Sequence, residues 1–198
     1  KVKSLHKRAQ ECLANGELTR AIELLELAAK NGEESEHKSL AIFQYDIAQA
    51  YLANDQPARA IELLELVVKN GKESKHKSLP VFQAGLAQAY RANDQPTRAI
   101  EQFELAVKNG EESKHKSLPV FQYDLAQAYR ASGKLAQAIK LYELAAVGGG
   151  TMWAIDSPKR LALQEDLAQA YEADDQLGKA VETLMQLALV YQTTSKPD

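Results

Sequence analysis

The side chains able to do acid–base, nucleophilic or metal chemistry are few: four His, at positions 6, 37, 76 and 115, and a single Cys, Cys12. His37, His76 and His115 recur at intervals of 39 residues, a ladder that invites a metal reading because imidazole is the commonest metal ligand. Each is followed by Lys and lacks a neighbouring Cys or paired carboxylate. Rungs of such a ladder would stand about 8–10 Å apart, the spacing of packed helices, whereas zinc is bound at about 2 Å. Copying of one unit accounts for the ladder, and no metal site is expected. One Cys excludes an internal disulfide framework and suits a reducing, cytoplasmic compartment. Gly148-Gly149-Gly150-Thr151 resembles a phosphate loop only in composition, since it follows a helical pattern rather than a strand and lacks the Gly-Lys-Ser/Thr ending. No Ser/His/Asp or Cys/His set stands out, so the expectation is a protein without catalysis or cofactor. What remains is the chemistry of recognition: Gln10, Gln49, Gln88, Gln127 and Gln169 recur in register, and an amide that donates and accepts at once suits a peptide backbone.

Those Gln belong to a repeating frame. Ala9-Gln10, Ala48-Gln49, Ala87-Gln88 and Ala126-Gln127 step by 39 residues, and Ala168-Gln169 follows after 42. The last four continue to Tyr51, Tyr90, Tyr129 and Tyr171, while Cys12 holds that place in the first copy and reads as a small buried residue. Within one copy, Leu79 to Tyr90 carries apolar residues at helical spacing, with Ser78 as N-cap and Pro80 in the first turn. Asn93-Asp94 breaks the chain. A second helix from Pro96 places Ala99, Ile100, Phe103, Ala106 and Val107 on one face and is expected to stop at Asn109-Gly110, a C-cap signal repeated at Asn31-Gly32 and Asn70-Gly71. The frame predicts ten helices in five antiparallel pairs, with repeats at about 1–30, 31–69, 70–108, 109–147 and 148–198. Apolar residues make up 45% of the chain and charged ones 26%, so it is folded rather than disordered. A net charge of −3 gives no reason to expect nucleic acid or an anionic membrane as the main partner. No apolar run approaches the roughly 18 residues of a spanning helix. A chain that opens at Lys1 rather than Met predicts a piece of a larger protein.

Leu86-Ala87-Gln88-Ala89-Tyr90, with Ala99 nine residues later, Phe103 after four more and Ala106 after three, resembles the tetratricopeptide repeat signature. The match recurs in all five copies. It implies an all-α fold, a right-handed α-solenoid of helix-turn-helix repeats that acts as a protein-interaction module. The period is longer than the family's usual 34. Long units of this kind are similar to those of kinesin light chains and of the C-terminal sensor arrays of NOD-like (STAND) receptors of fungi and bacteria, which implies a sensor or scaffold array in a signalling protein. An NTPase domain, if the parent protein has one, would lie upstream. Chaperone-binding members of the family grip a terminal carboxylate with Lys and Asn; the matching places here are Tyr and Gln, which disfavours that partner.

In such a solenoid the first helix of each pair lines the concave surface. If Leu86, Ala87 and Tyr90 face the core, then Ala84, Gln88 and Arg91 lie on the open side. Their counterparts are His6, Gln10 and Leu13; Tyr45, Gln49 and Leu52; Tyr123, Gln127 and Arg130; and Glu165, Gln169 and Glu172. The candidate binding set for a protein or peptide is Tyr45, Gln49, Ala84, Gln88, Arg91, Tyr123, Gln127, Arg130, Glu165 and Gln169. The alternative is plain solvated helix surface, because residues 31–69 and 70–108 agree at 27 of 39 places and copying alone would keep the Gln. The copies differ at Tyr45, Ala84 and Tyr123 and at Asp46, Gly85 and Asp124, as a groove tuned to a ligand would; the small pair Ala84-Gly85 predicts a hollow between two Tyr. Trp153, in an insert with Met152, is expected to pack over the junction of the fourth and fifth copies. Basic Lys3, His6, Lys7 and Arg8 at one end face acidic Glu165, Asp166 and Glu172 at the other, and Leu184, Leu187, Ala188, Val190 and Tyr191 extend an apolar face. A natural or designed repeat that self-assembles end to end is therefore the second functional reading.

Overall fold

The computed structural model describes residues 2–34, 40–150, 153–154 and 157–194. They form ten helices: α1 (Val2–Ala14), α2 (Leu18–Glu34), α3 (Leu40–Ala53), α4 (Pro57–Glu73), α5 (Leu79–Ala92), α6 (Pro96–Glu112), α7 (Leu118–Ala131), α8 (Leu135–Gly149), α9 (Pro158–Ala173) and α10 (Leu177–Thr194). No strand occurs among the described residues, so the all-α class read from the repeat is the class observed. The chain divides into two compact units, Lys1–Ala106 and Val107–Asp198. In the first, α1 packs on α2, α2 on α3, α3 on α4 and α4 on α5; in the second, α7 packs on α8, α8 on α9 and α9 on α10. First helices also touch directly, α3 with α5 and α7 with α9.

Each pair closes through the same turn. The residue in the left-handed region is Gly16, Asp55, Asp94, Gly133 or Asp175, types that tolerate that region best. The amide one residue on reaches back to the carbonyl of the helix's last turn: Glu17 to Cys12, Gln56 to Tyr51, Gln95 to Tyr90, Lys134 to Tyr129 and Gln176 to Tyr171, at 2.8–2.9 Å. This is the Schellman closure, which satisfies carbonyls that the helix end would leave bare.

The second helices overrun their expected ends. α4 runs to Glu73 and α6 to Glu112, so the Asn-Gly pairs lie inside helices and do not cap them. The left-handed residues here are Lys75 and Lys114, and His76 and His115 close the turn onto Gly71 and Gly110 carbonyls at 2.8 Å. The glycines serve packing. A Cβ on Gly71 would stand 3.3 Å from Phe82, and one on Gly110 3.2 Å from Phe121, so the missing side chain seats the next first helix. Ser78 and Ser117 sit at the N-caps as expected, but their side chains do not cap; Ser157 does, accepting from the Arg160 amide.

The core follows the columns of the repeat. Leu25, Leu64, Phe103 and Tyr142 occupy equivalent places, each 0% exposed, and Cys12 is buried in the tyrosine column. Trp153 packs directly on the end of α8: a Cβ on Gly149 would fall 2.4 Å from its ring. Met152 and His37 lie outside the described residues.

Candidate functional site

The open face of the first helices carries links between neighbouring copies, hydrogen-bonded or packed, each made by a residue and the one about 40 places later. In the first unit, the His6 Nε2–H donates to Asp46 Oδ2 at 2.6 Å, and Gln10 adds a longer contact of 3.4 Å to the same oxygen. One step along, the Tyr45 ring lies over Gly85. A Cβ there would meet Tyr45 Cε2 at 2.6 Å and Gln49 Nε2 at 3.1 Å, and the ring also stands 5.5 Å from that of Phe82. The hollow expected at Ala84-Gly85 is therefore filled from the preceding copy, and Ala84 itself is buried. Gln49 is half-buried and places its Nε2 against Gly85; Gln88 is half-exposed and Arg91 exposed, the Arg91 guanidinium 6.0 Å from the Phe103 ring.

In the second unit the links converge on Asp166. Tyr123 donates to its Oδ2 at 2.7 Å and Gln127 at 3.1 Å, and Arg130 Nη2 lies 3.0 Å from Oδ1. Gln127 also donates to the Tyr123 hydroxyl, and Arg130 Nη1 to Gln169 Oε1 at 3.0 Å. Burial raises the Tyr123 pKa, and the hydrogen bond to Asp166 and its charge push it the same way. The Tyr142 ring lies 5.8 Å from that of Tyr123. Its buried hydroxyl has no hydrogen-bond partner among the described residues, and burial and then the Asp166 charge raise its pKa against the pull of Arg130. Glu165 accepts from the Tyr191 hydroxyl at 3.0 Å. Three of the expected set, Tyr123, Gln127 and Arg130, thus gather on Asp166, and Arg130 holds Gln169.

Sequence reasoning missed these links, although their signal was present. Opposite the column His6, Tyr45 and Tyr123, the following copy carries Asp46, Gly85 and Asp166: a donor meets a carboxylate, and a large ring meets a glycine. Variation that read as tuning for a ligand is matched between neighbours.

A second ladder joins three of the column's tyrosines to the preceding copy. Tyr51 donates to Glu26, Tyr90 to Glu65 at 2.5 Å and Tyr171 to Glu143 at 2.6 Å. Arg59, Arg98 and Lys179 lie over the three rings at 4.4, 4.2 and 5.1 Å, in range for cation–π attraction. Burial, then the hydrogen bond to the carboxylate and its charge, push Tyr51 and Tyr90 up to about 12. His76 and His115 of the His ladder are likewise structural: Nδ1 of each accepts an amide, that of Ser78 and of Ser117, at 3.1 Å. At His115, burial and then the Lys116 charge lower the pKa, which favours the neutral ring that accepting at Nδ1 requires. Beside Tyr51 lies a crevice of about 660 Å³, walled by Glu26, Lys30, Ile47, Arg59 and Leu66 among others, which the sequence did not announce.

Comparisons with known proteins agree with this architecture. The tetratricopeptide repeat family pattern matches residues 45–114 and 84–152. The chain is similar to the nearly identical TPR-like repeats of a Podosopora anserina kinesin light chain-like protein: identity is 34% with a TM-score of 0.80, over 99% of this chain and 97% of that one. Two solved structures share the fold at low identity. BtubC (BKLC) from P. vanneervenii has 15% identity and a TM-score of 0.86, over 100% of this chain and 83% of that one. MamA from Desulfovibrio magneticus RS-1 has 16% identity and a TM-score of 0.73, over 98% and 97%. No curated protein sequence matches the chain.

Proposed function

Because the chain belongs to the tetratricopeptide repeat family, we propose that it works as a protein-interaction scaffold without catalysis of its own, holding an extended peptide or protein surface on the open face of its first helices. Within a parent protein such an array would serve as a sensor or scaffold for signalling. One observation carries the reading. On α7 and α9, Tyr123, Gln127, Arg130 and Gln169 are fixed around Asp166 by hydrogen bonds of 2.7–3.1 Å, while Gln169 stays exposed and Arg130 partly so. Side chains held in place lose little rotamer freedom when a partner arrives. Arg130 Nη1 donates to Gln169 Oε1, so the Gln169 amide keeps its N–H groups for a peptide carbonyl. Gln88 and Arg91 on α5 give the first unit a surface of the same kind, and Arg is among the residue types enriched where interfaces concentrate their binding energy.

The test is to pan a random peptide library against the immobilised chain and titrate the recovered peptides by calorimetry. The variants are Arg130→Ala with Gln169→Ala, Gln88→Ala with Arg91→Ala, and, on the other side of the helices, Arg59→Ala with Arg98→Ala. Loss of at least about tenfold in affinity, some 1.4 kcal/mol, in one of the first two and not in the third is expected. Recovery of no binder, or of binders sensitive only to Arg59 and Arg98, would reject this face as the binding surface.

A further inference from the structure

The face of α10 turned away from α9 departs from the internal second helices in kind. Val181, Leu184, Ala188 and Tyr191 stand in the columns that Ile61, Leu64, Val68 and Gly71 occupy in α4. Those α4 residues are buried. In α10, Val181 is 55% exposed, Leu184 50% and Tyr191 42%, while Ala180, Leu187 and Val190 are buried. Loss of a neighbour would explain exposure alone. It does not explain Met185 and Leu189, 69% and 61% exposed, which replace the exposed Glu65 and Lys69 of α4. A face left to solvent is expected to gain charge; this one has lost it.

A further first helix in the internal register does not fit here. That seat needs the glycine column, where even a Cβ at Gly71 comes within 3.3 Å of the incoming Phe82, and α10 has Tyr191 there. It also needs the carboxylate that receives the next tyrosine, as Glu65 receives Tyr90, and α10 has Met185. By contrast, Leu177, Val181, Leu184, Ala188 and Tyr191 are spaced four, three, four and three residues apart, the seam of a two-helix coiled coil. The positions flanking that seam, Gly178, Ala180, Met185, Leu187 and Gln192, are uncharged, so a like helix meets no repulsion.

We propose that α10 is a self-association surface on which two copies of this chain pair antiparallel about a two-fold axis at Leu184. Antiparallel pairing sets Leu177 opposite Tyr191 and Val181 opposite Ala188, large against small, and opposes the helix dipoles. Parallel pairing would stack Ala188 on Ala188 and leave a gap. Leu177, Val181, Leu184, Met185 and Tyr191, 42–69% exposed, offer on the order of 500 Å² per copy, and the pair on the order of 1,000 Å², the threshold for a specific interface.

Sedimentation velocity from micromolar to near-millimolar concentration should show a monomer–dimer equilibrium that stops at the dimer. Met185→Glu with Leu189→Lys restores the residue types found at the same exposed places in α4, and should weaken association by about 100-fold or more with unchanged circular dichroism. Under oxidation Leu184→Cys should form a covalent dimer and Leu177→Cys should not, with the unmodified chain as the control for Cys12. A monomer at every concentration, a dimer that survives the charged variant, open-ended oligomers, or cross-linking through Leu177→Cys would each overturn the proposal. Should the charged variant fail to fold, the two cysteine variants decide alone.

Discussion

Replacing Gly85 with Ala asks whether Tyr45 is what reserves this position for glycine. Inside a helix Ala is favoured over Gly by about 1 kcal/mol, and Gly85 lies in the middle of α5. Against that gain, the new Cβ would stand 2.6 Å from Tyr45 Cε2 and 3.4 Å from its Cζ, whereas carbon atoms rest about 3.5–4.0 Å apart. The ring must withdraw by about 1 Å, loosening its contact with Phe82, and overpacking of this kind costs about 1–3 kcal/mol. The expected net effect is destabilisation by about 1 kcal/mol. In a Tyr45→Ala background the ring is gone, so the same Gly85→Ala change should stabilise by about 1 kcal/mol. The coupling between the two sites is then about 2 kcal/mol. Urea unfolding of the four proteins gives the cycle. Because repeat arrays can unfold piecewise, amide hydrogen exchange in α3 to α5 should accompany it. A Gly85→Ala effect of the same sign in both backgrounds would refute the reasoning.

Three further outcomes follow. Tyr142→Phe removes a buried hydroxyl that has no partner among the described residues from a column filled elsewhere by Leu or Phe, and should raise stability to urea by about 1 kcal/mol; a loss of that size would mean the hydroxyl is satisfied. Asp166→Asn removes the charge that Tyr123, Gln127 and Arg130 share, and should destabilise the second unit by about 1–3 kcal/mol, seen as faster amide exchange in α7 and α9. Tyr51 and Tyr90 are held at about 12 against an ordinary 10, so the unfolded chain loses these protons first as pH rises. Their contribution is full below pH 10 and is lost progressively between about 10 and 12. Thermal midpoints should fall over that window, and a Tyr51→Phe and Tyr90→Phe variant should flatten the fall.

The fold was legible because its signals are local and repeated. Ala-Gln-Ala-Tyr in the first helices of the last four copies, an Asp or Gly at each turn and Pro at the start of α4, α6 and α9 all act within a few residues, and copying multiplied the signal. What failed to read out acts between copies. Asn109-Gly110 has the composition of a cap, and only Phe121, pressed against the missing Cβ, explains why the glycine sits inside a helix. The candidate site failed in the same way. Ala84 looks open from its own helix, yet burial of Ala84 and occupation of Gly85 by Tyr45 depend on the copy before it. Facing residues about 40 positions apart carry no periodic signature, because their separation is the period itself plus one.

Near-identical copies face a hazard in that the second and third agree at 27 of 39 places and could trade places or drop out. The pairs His6 with Asp46, Tyr45 with Gly85 and Tyr123 with Asp166 work as addresses. Excise the second copy and His6 faces Gly85, an imidazole with no carboxylate to receive it. Interchange the second and third and His6 again meets glycine, while Ala84 meets Asp46, a carboxylate with no donor opposite it. A folding chain that docks the wrong copy likewise forfeits the short bond that marks the right one, a safeguard against the mispairing to which tandem repeats are prone. The order and number of the copies are thus written into a handful of side chains, and gene rearrangements that shuffle the array are exposed to selection through stability before any partner is met.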